Sequence, residues 1–211
     1  MEDVLEVYHR PFDRARPLVN LDEFSKQLLS DKTSPLPPRP GSSRKVDYEY
    51  VREGSASAYM LALPHLGLRE VFMSESSTQR GVDFAHALEY LAEEILPDAE
   101  KIVLVMDNLA THTEASLYKA FPPEKARALC ERFEMHYTPK HGSWLNMAEI
   151  EIGKIVNHGL KERIGSRENM RASVKAYCLR ENKRPKPIKW QFANEDARVK
   201  LHHLYPANLM S

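Results

Sequence analysis

Ile102-Val103-Leu104-Val105-Met106-Asp107-Asn108 is the stretch that decides the fold. Five apolar residues in succession, three of them β-branched, suit a short strand covered on both faces. The run ends on a carboxylate and an amide, Asp107 and Asn108. A strand of this kind needs neighbours on either side and helices above and below, which predicts a mixed α/β sheet.

Outward from it, upstream, Phe84, Leu88, Leu91 and Ile95 fall at helical spacing, with Asp83 near the start and Pro97 past the end. Downstream, Thr113–Glu131 predicts a helix that Pro122-Pro123 breaks or kinks. Glu134–Tyr137 predicts a short strand. Trp144–Ile164 predicts a long helix with Ser143 as its N-cap and Trp144 packed beneath it, and Glu168–Asn182 predicts another. Gly153 and Gly159 weaken the first of these, each by up to about 1 kcal/mol. Ile188–Phe192 reads as short and extended, before a final helix at Asn194–Leu204.

The first third is strand-rich. Leu18–Asp22 reads as a strand that ends on an acid, and Lys26–Leu29 continues it or opens the next. Four prolines and a glycine make residues 31–44 a loop. Lys45–Val51 alternates, with Val46, Tyr48 and Tyr50 on one face. Ala56–Pro64 and Arg69–Ser74 read as two strands joined at His65-Leu66-Gly67, an antiparallel meander. The expectation is one domain over residues 1–211, with about five strands flanked by helices. Ile102–Met106 should be central and lie beside Leu18–Leu21.

Composition sets bounds. Hydrophobic content of 42% and charged content of 28% are ordinary for a globular domain. No apolar run is long enough for a membrane helix, and MEDVLEVYHR lacks the apolar core of a signal peptide. Cys130 and Cys178 form no ligand or redox pattern and read as free thiols of a reducing cytosol. The net charge of zero hides an asymmetry. Residues 154–211 hold 13 Lys+Arg against 5 Asp+Glu, leaving 17 against 25 in the rest. The basic part is either a solvated helical surface or a phosphate-tracking one.

The acids carry the chemistry. With Leu145 as reference and 100° per residue, Leu145, Ala148, Ile152, Ile155, Val156 and Leu160 share one stripe. Glu149 falls inside it, whereas Glu151 falls outside, near Lys154, and reads as solvated. An acid on an apolar helix face and another at a strand end repel each other and resist desolvation unless a divalent cation lies between them. That pattern implies metal-dependent phosphoryl transfer, in which two cations offset charge on the attacking and leaving oxygens. Asp22 is the best third carboxylate, with Asp47, Glu49 and Glu75 as weaker rivals. Oxygen donors suit Mg²⁺ or Mn²⁺, and no His or Cys spacing makes a zinc site.

Four segments also resemble a known family: LVNLDEFSKQLL (18–29), VMDNLATH (105–112), YTPKHGSWLNMAEIE (137–151) and WQFANEDARVKLHHLYP (190–206). They are similar to the catalytic domain of bacterial insertion-sequence transposases of the mariner-like superfamily. The resemblance implies an RNase H-like fold and an Asp-Asp-Glu triad at Asp22, Asp107 and Glu149 that binds two Mg²⁺ or Mn²⁺ ions. Asn108, His112, His141 and Asn146 lie in the same segments as candidates to support the triad or touch DNA. The implied activity is DNA cleavage and strand transfer, with transposon ends and target DNA as partners, a homodimer as one assembly, and a cytoplasmic, nucleoid-associated location. The alternatives are an RNase H-like nuclease without strand transfer and an inactive DNA-binding remnant. Only 21 residues precede Asp22, so the family's N-terminal helix-turn-helix module is expected to be absent, or supplied by an upstream reading frame.

Overall fold

The structure, a computed structural model, describes residues 1–43, 45, 47–75, 79–140 and 142–205. Helix α1 (Glu2–His9) leads into strand β1 (Leu18–Asp31), then β2 (Tyr50–Leu63) and β3 (Leu68–Met73). Helix α2 (Arg80–Tyr90), β4 (Ile102–Met106), α3 (Glu114–Ala120), α4 (Pro123–Arg132) and β5 (Phe133–Tyr137) follow. Helices α5 (Ala148–His158), α6 (Arg167–Asn182) and α7 (Asn194–Lys200) complete the described elements. The sheet order is β3-β2-β1-β4-β5. The first three strands pair antiparallel, while β4 runs parallel to both β1 and β5. This is the expected mixed sheet, with β4 beside β1.

Alternation along β1 sorts the two faces. Val19 and Leu21 point to a core shared with Tyr59, Leu61, Phe84, Leu88, Leu104, Met106 and Leu117, beneath α2, α3 and α4. The opposite face is split. Phe24, Ala58 and Met60 meet Ile155 of α5 and Met170, Val174 and Tyr177 of α6. Leu18, Val103 and Val105 meet Val4, Leu5 and Tyr8 of α1 and Ala197 of α7. Helix α1 lies outside the elements expected from sequence, although Val4, Leu5, Val7 and Tyr8 are all buried.

Several expectations need correction. Strand β1 does not end at Asp22 but runs on to Asp31, because β2 pairs with it throughout, Asp22 opposite Met60. Of the alternating segment Lys45–Val51, Tyr50 and Val51 open β2, whereas Lys45, Asp47 and Tyr48 lie outside any strand: Lys45 makes an isolated bridge to Leu36, and Tyr48 is exposed. Val46 and Arg44 lie outside the described residues. The proline-rich stretch before this segment offers it no regular neighbour. Pro122 and Pro123, by contrast, break the helix as expected, separating α3 from α4 with Pro123 at the start of α4.

The long helix expected from Trp144 is shorter at both ends. A 3₁₀ turn spans Ser143–Leu145, and α5 stops at Gly159. A Cβ on Gly159 would sit 3.1 Å from Tyr177 Cβ, so a side chain there would press on the packing against α6. Gly153 faces open space. Trp144 does not lie under the helix; it is 43% exposed and meets Phe192 edge-on at 5.8 Å. Ile188–Phe192 is irregular rather than a strand. Among the described residues no helix is long and apolar enough to cross a membrane.

Candidate active site

The parallel pairing of β1 with β4 builds the site. Leu18 lies opposite Val103, Val19 opposite Leu104 and Asn20 opposite Val105, a constant offset of 85 residues. The same offset joins Asp22 to Asp107. Strand β4 ends at Met106, just where that pair would come, so β1 outruns its neighbour and leaves a notch flanked by the two acids. Period-two alternation sets Asp22 on the Asn20 and Phe24 face, the side covered by α1 and α5, while Asp107 lies just past the end of β4.

Helix α5 brings the third acid. Asn146 donates from its amide to the Leu21 carbonyl at 2.8 Å, and its side-chain oxygen accepts from the Ala148 N–H at 3.1 Å. One buried side chain thus ties the start of α5 to the residue before Asp22. Ser143, the expected cap, is exposed and plays no such part. At the far end, Lys26 donates to the Leu160 carbonyl at 2.8 Å, so α5 lies along β1. Glu149 stands in the first turn of α5. A second tether joins Asn20 to the Tyr8 hydroxyl at 2.6 Å, and Tyr8 in turn donates to the Leu145 carbonyl at 2.5 Å. Sequence reasoning missed Tyr8 and Asn20. The one available signal was an amide within the apolar run LVNL.

The face assignment on α5 is the largest correction. Glu149 is exposed toward the notch, and Glu151 is buried. The side of α5 that meets the sheet and α6 carries Ala148, Glu151 and Ile155. A stripe counted from Leu145 carries the wrong phase, because Leu145 belongs to the 3₁₀ turn and not to α5. Glu151 is not solvated: Arg69 of β3 approaches it at 2.6 Å and Lys154 at 2.7 Å.

His112 supports Asp107. Its Nδ1 lies 2.5 Å from Asp107 Oδ1, and its ring is fully buried, stacked on Phe84 at 4.6 Å. Its backbone is fixed by a turn to the Leu109 carbonyl and by the Tyr137 hydroxyl, which donates to the His112 carbonyl at 3.1 Å. Asn108 is exposed and lines a 440 Å³ cavity with Asp107, Leu109, Thr138, Pro139, Lys140 and Ser143. His141 lies outside the described residues.

Electrostatics couple the acids. The Asp22 carboxyl is pushed up to about 7, first by burial, then by the charges of Asp107 and Glu149. The Glu23 N–H and His112 oppose this and do not outweigh it. Among the described residues no three His, Cys, Asp or Glu side chains stand close enough to hold an ion as they are placed. The donor set nevertheless fits a hard divalent cation, since three mutually repelling carboxylates face a notch that opens to solvent. The rivals do not join them: Glu49 pairs with Lys32 at 2.7 Å and Glu75 with Arg171 at 2.7 Å, while Asp47 accepts from the Glu49 N–H at 3.3 Å.

A family model described as DDE superfamily endonuclease matches residues 17–171. Two solved structures are similar at 15% identity, each over 84% of this chain. One is the crystal structure of the Mos1 strand transfer complex, with a TM-score of 0.54. The other is the Mos1 transposase paired-end complex with left transposon end, with a TM-score of 0.53. The chain spans about half the length of these proteins, 51% and 53%. At that identity the likeness establishes the fold, which is RNase H-like. Comparison with curated sequences finds no significant match.

Proposed function

The chain belongs to the DDE superfamily endonucleases, and on that premise we propose that it is the catalytic domain of an insertion-sequence transposase of the mariner-like superfamily. It cleaves DNA strands and joins a freed 3′-hydroxyl to target DNA, with Asp22, Asp107 and Glu149 as the acting triad. The observation that carries this reading is Asp22, raised by its burial and by the charges of Asp107 just past β4 and Glu149 at the start of α5.

The three carboxylates are the residues that would hold Mg²⁺ or Mn²⁺. When bound, divalent cations make the attacking oxygen more nucleophilic and offset charge on the leaving oxygen. The residues of the chain perform the rest. The Asp22 carboxyl, pushed up to about 7 by burial and by its two acidic neighbours, would have to be ionised to help hold a cation. His112 occupies one oxygen of Asp107 and fixes that carboxylate's direction. Asn146 sets the height of Glu149 above β1. Lys140, in the cavity beside Asp107, faces the path of a phosphate backbone.

Supercoiled plasmid incubated with the chain and Mn²⁺ should be nicked. Asp22→Asn, Asp107→Asn and Glu149→Gln should each lower that rate by about 10³-fold or more, as expected when charge stabilisation at the transition state is removed. An oligonucleotide with a free 3′-hydroxyl should be joined to plasmid in the same reaction. Nicking without joining would reduce the proposal to a hydrolytic endonuclease, and nicking that survives all three substitutions would defeat the triad.

A further inference from the structure

Glu151 is a buried acid that the chemistry above does not use. Its side chain is 4% exposed, and its ion-pair partner Arg69 is 6% exposed. Both carboxylate oxygens face a cation: Arg69 Nε lies 2.6 Å from one as an ion pair without hydrogen-bond alignment, and Lys154 Nζ donates to the other at 2.7 Å. Arg69 is itself held from three directions. Its guanidinium donates to the Gly67 carbonyl at 2.9 Å. Its backbone N–H donates to Asn182 Oδ1 at 3.1 Å, and its carbonyl accepts from Asn182 Nδ2 at 2.8 Å. Gly67 has φ +66°, and a Cβ there would sit 2.4 Å from the Lys186 backbone, so this corner cannot shift without moving the chain that follows α6. Arg69 is therefore a fixed post on the edge strand β3, braced by the end of α6.

We propose that the Arg69–Glu151 pair is the rotational lock of the site helix and thereby positions Glu149; this rests on Glu149 being a metal-holding residue. Residues two apart on a helix point about 200° from each other. An α5 rotated to hold Glu151 inward against Arg69 must turn Glu149 outward to the notch. Asn146, Tyr8 and Lys26 fix the two ends of α5 along β1, but bonds at or beyond the ends do not by themselves set which side chains of the helix face inward. Ala148 and Ile155 supply an apolar face, and non-directional contact of that kind tolerates small changes of phase. A charged pair with short contacts and almost no water does not. Arg69 and Glu151 are positioning residues in this scheme and touch neither metal nor DNA.

The test uses the full chain and Mn²⁺ alone, with free Mn²⁺ counted by electron paramagnetic resonance at a temperature where circular dichroism shows every variant folded. The double variant Arg69→Met/Glu151→Leu replaces the pair by apolar side chains, an exchange that buried ion pairs often tolerate. Its metal-free melting temperature should stay near that of the wild type. Its half-saturating Mn²⁺ should rise about 10-fold, the usual scale for losing a group that orients a ligand. Glu151→Gln, which keeps shape and loses charge, should move the Mn²⁺ midpoint in the same direction and carries the test if the double variant does not fold. Wild-type Mn²⁺ binding in either folded variant would overturn the proposal and leave the pair a stability element. Absence of Mn²⁺ binding by the wild type itself would instead overturn the reading of the triad, and the lock with it.

Discussion

The two faces of the sheet are built on opposite principles. Under α2, α3 and α4 the face is a continuous apolar core: Val19, Leu21, Leu61, Leu104 and Met106 are fully buried among hydrophobic neighbours. Under α1 and α5–α7 the same strands present Asn20, Asp22 and Arg69, and the helices answer with Tyr8, Asn146 and Glu151. The first face supplies stability through area removed from water. The second gives up part of that gain to hold polar groups at fixed positions. Asn20 Oδ1, buried with no hydrogen-bond partner among the described residues, is one visible cost. The division teaches that β1 is one strand with two duties, exercised by alternate residues.

The largest expected effect lies on the apolar face. Leu104→Ala should destabilise the chain by about 2–5 kcal/mol through lost burial and a residual cavity, measured by urea unfolding. Its Mn²⁺ affinity in the folded state should not change. A large change there would break the comparison, because it would mean that the apolar core also shapes the notch.

Next comes metal on the other face. Mn²⁺ at 100 times its Kd should stabilise the wild type by about 2.7 kcal/mol. That corresponds to a rise of roughly 5–10 °C in Tm for a chain of this size. Asp107→Asn should lose most of the rise. An equal rise in both would place the cation elsewhere.

The smallest effect is a pH dependence without metal. Asp22 is raised to about 7 in the folded chain from an ordinary value of 3.8. The folded state therefore keeps a proton that the unfolded state loses, and the stability linked to it is greatest below about 4 and is lost as pH rises toward and through 7. Asp22→Asn should flatten this slope, as read from Tm between pH 5 and 8. A slope that persists in the variant would assign the effect to another group.

Much of this molecule was legible in the residues. The five apolar residues before Asp107 determined a central strand, and helical spacing and prolines placed α2, α3 and α4. Asp107 is legible from its place at the end of that strand, Glu149 came from a helix phase that the structure corrects, and the family resemblance promotes Asp22; the charges of Asp107 and Glu149 do act on Asp22. What failed has one cause in several places: a local pattern does not know its neighbour. Asp22 seemed to end a strand because the next apolar residues are sparse, but β2 carries β1 onward. Lys45 and Tyr48 belong to a segment that alternates like a strand, but the only pairing among its described residues before Tyr50 is the isolated bridge from Lys45 to Leu36.

The sequence by itself determined which elements form and which acids are available, because period and side-chain chemistry are local properties. Only the tertiary structure decided which way α5 turns. Glu149 and Glu151 are the same residue type two positions apart, and no intrinsic propensity separates them. The difference comes from Arg69, 82 positions away from Glu151 in the chain, whose buried guanidinium claims one acid and leaves the other to the notch.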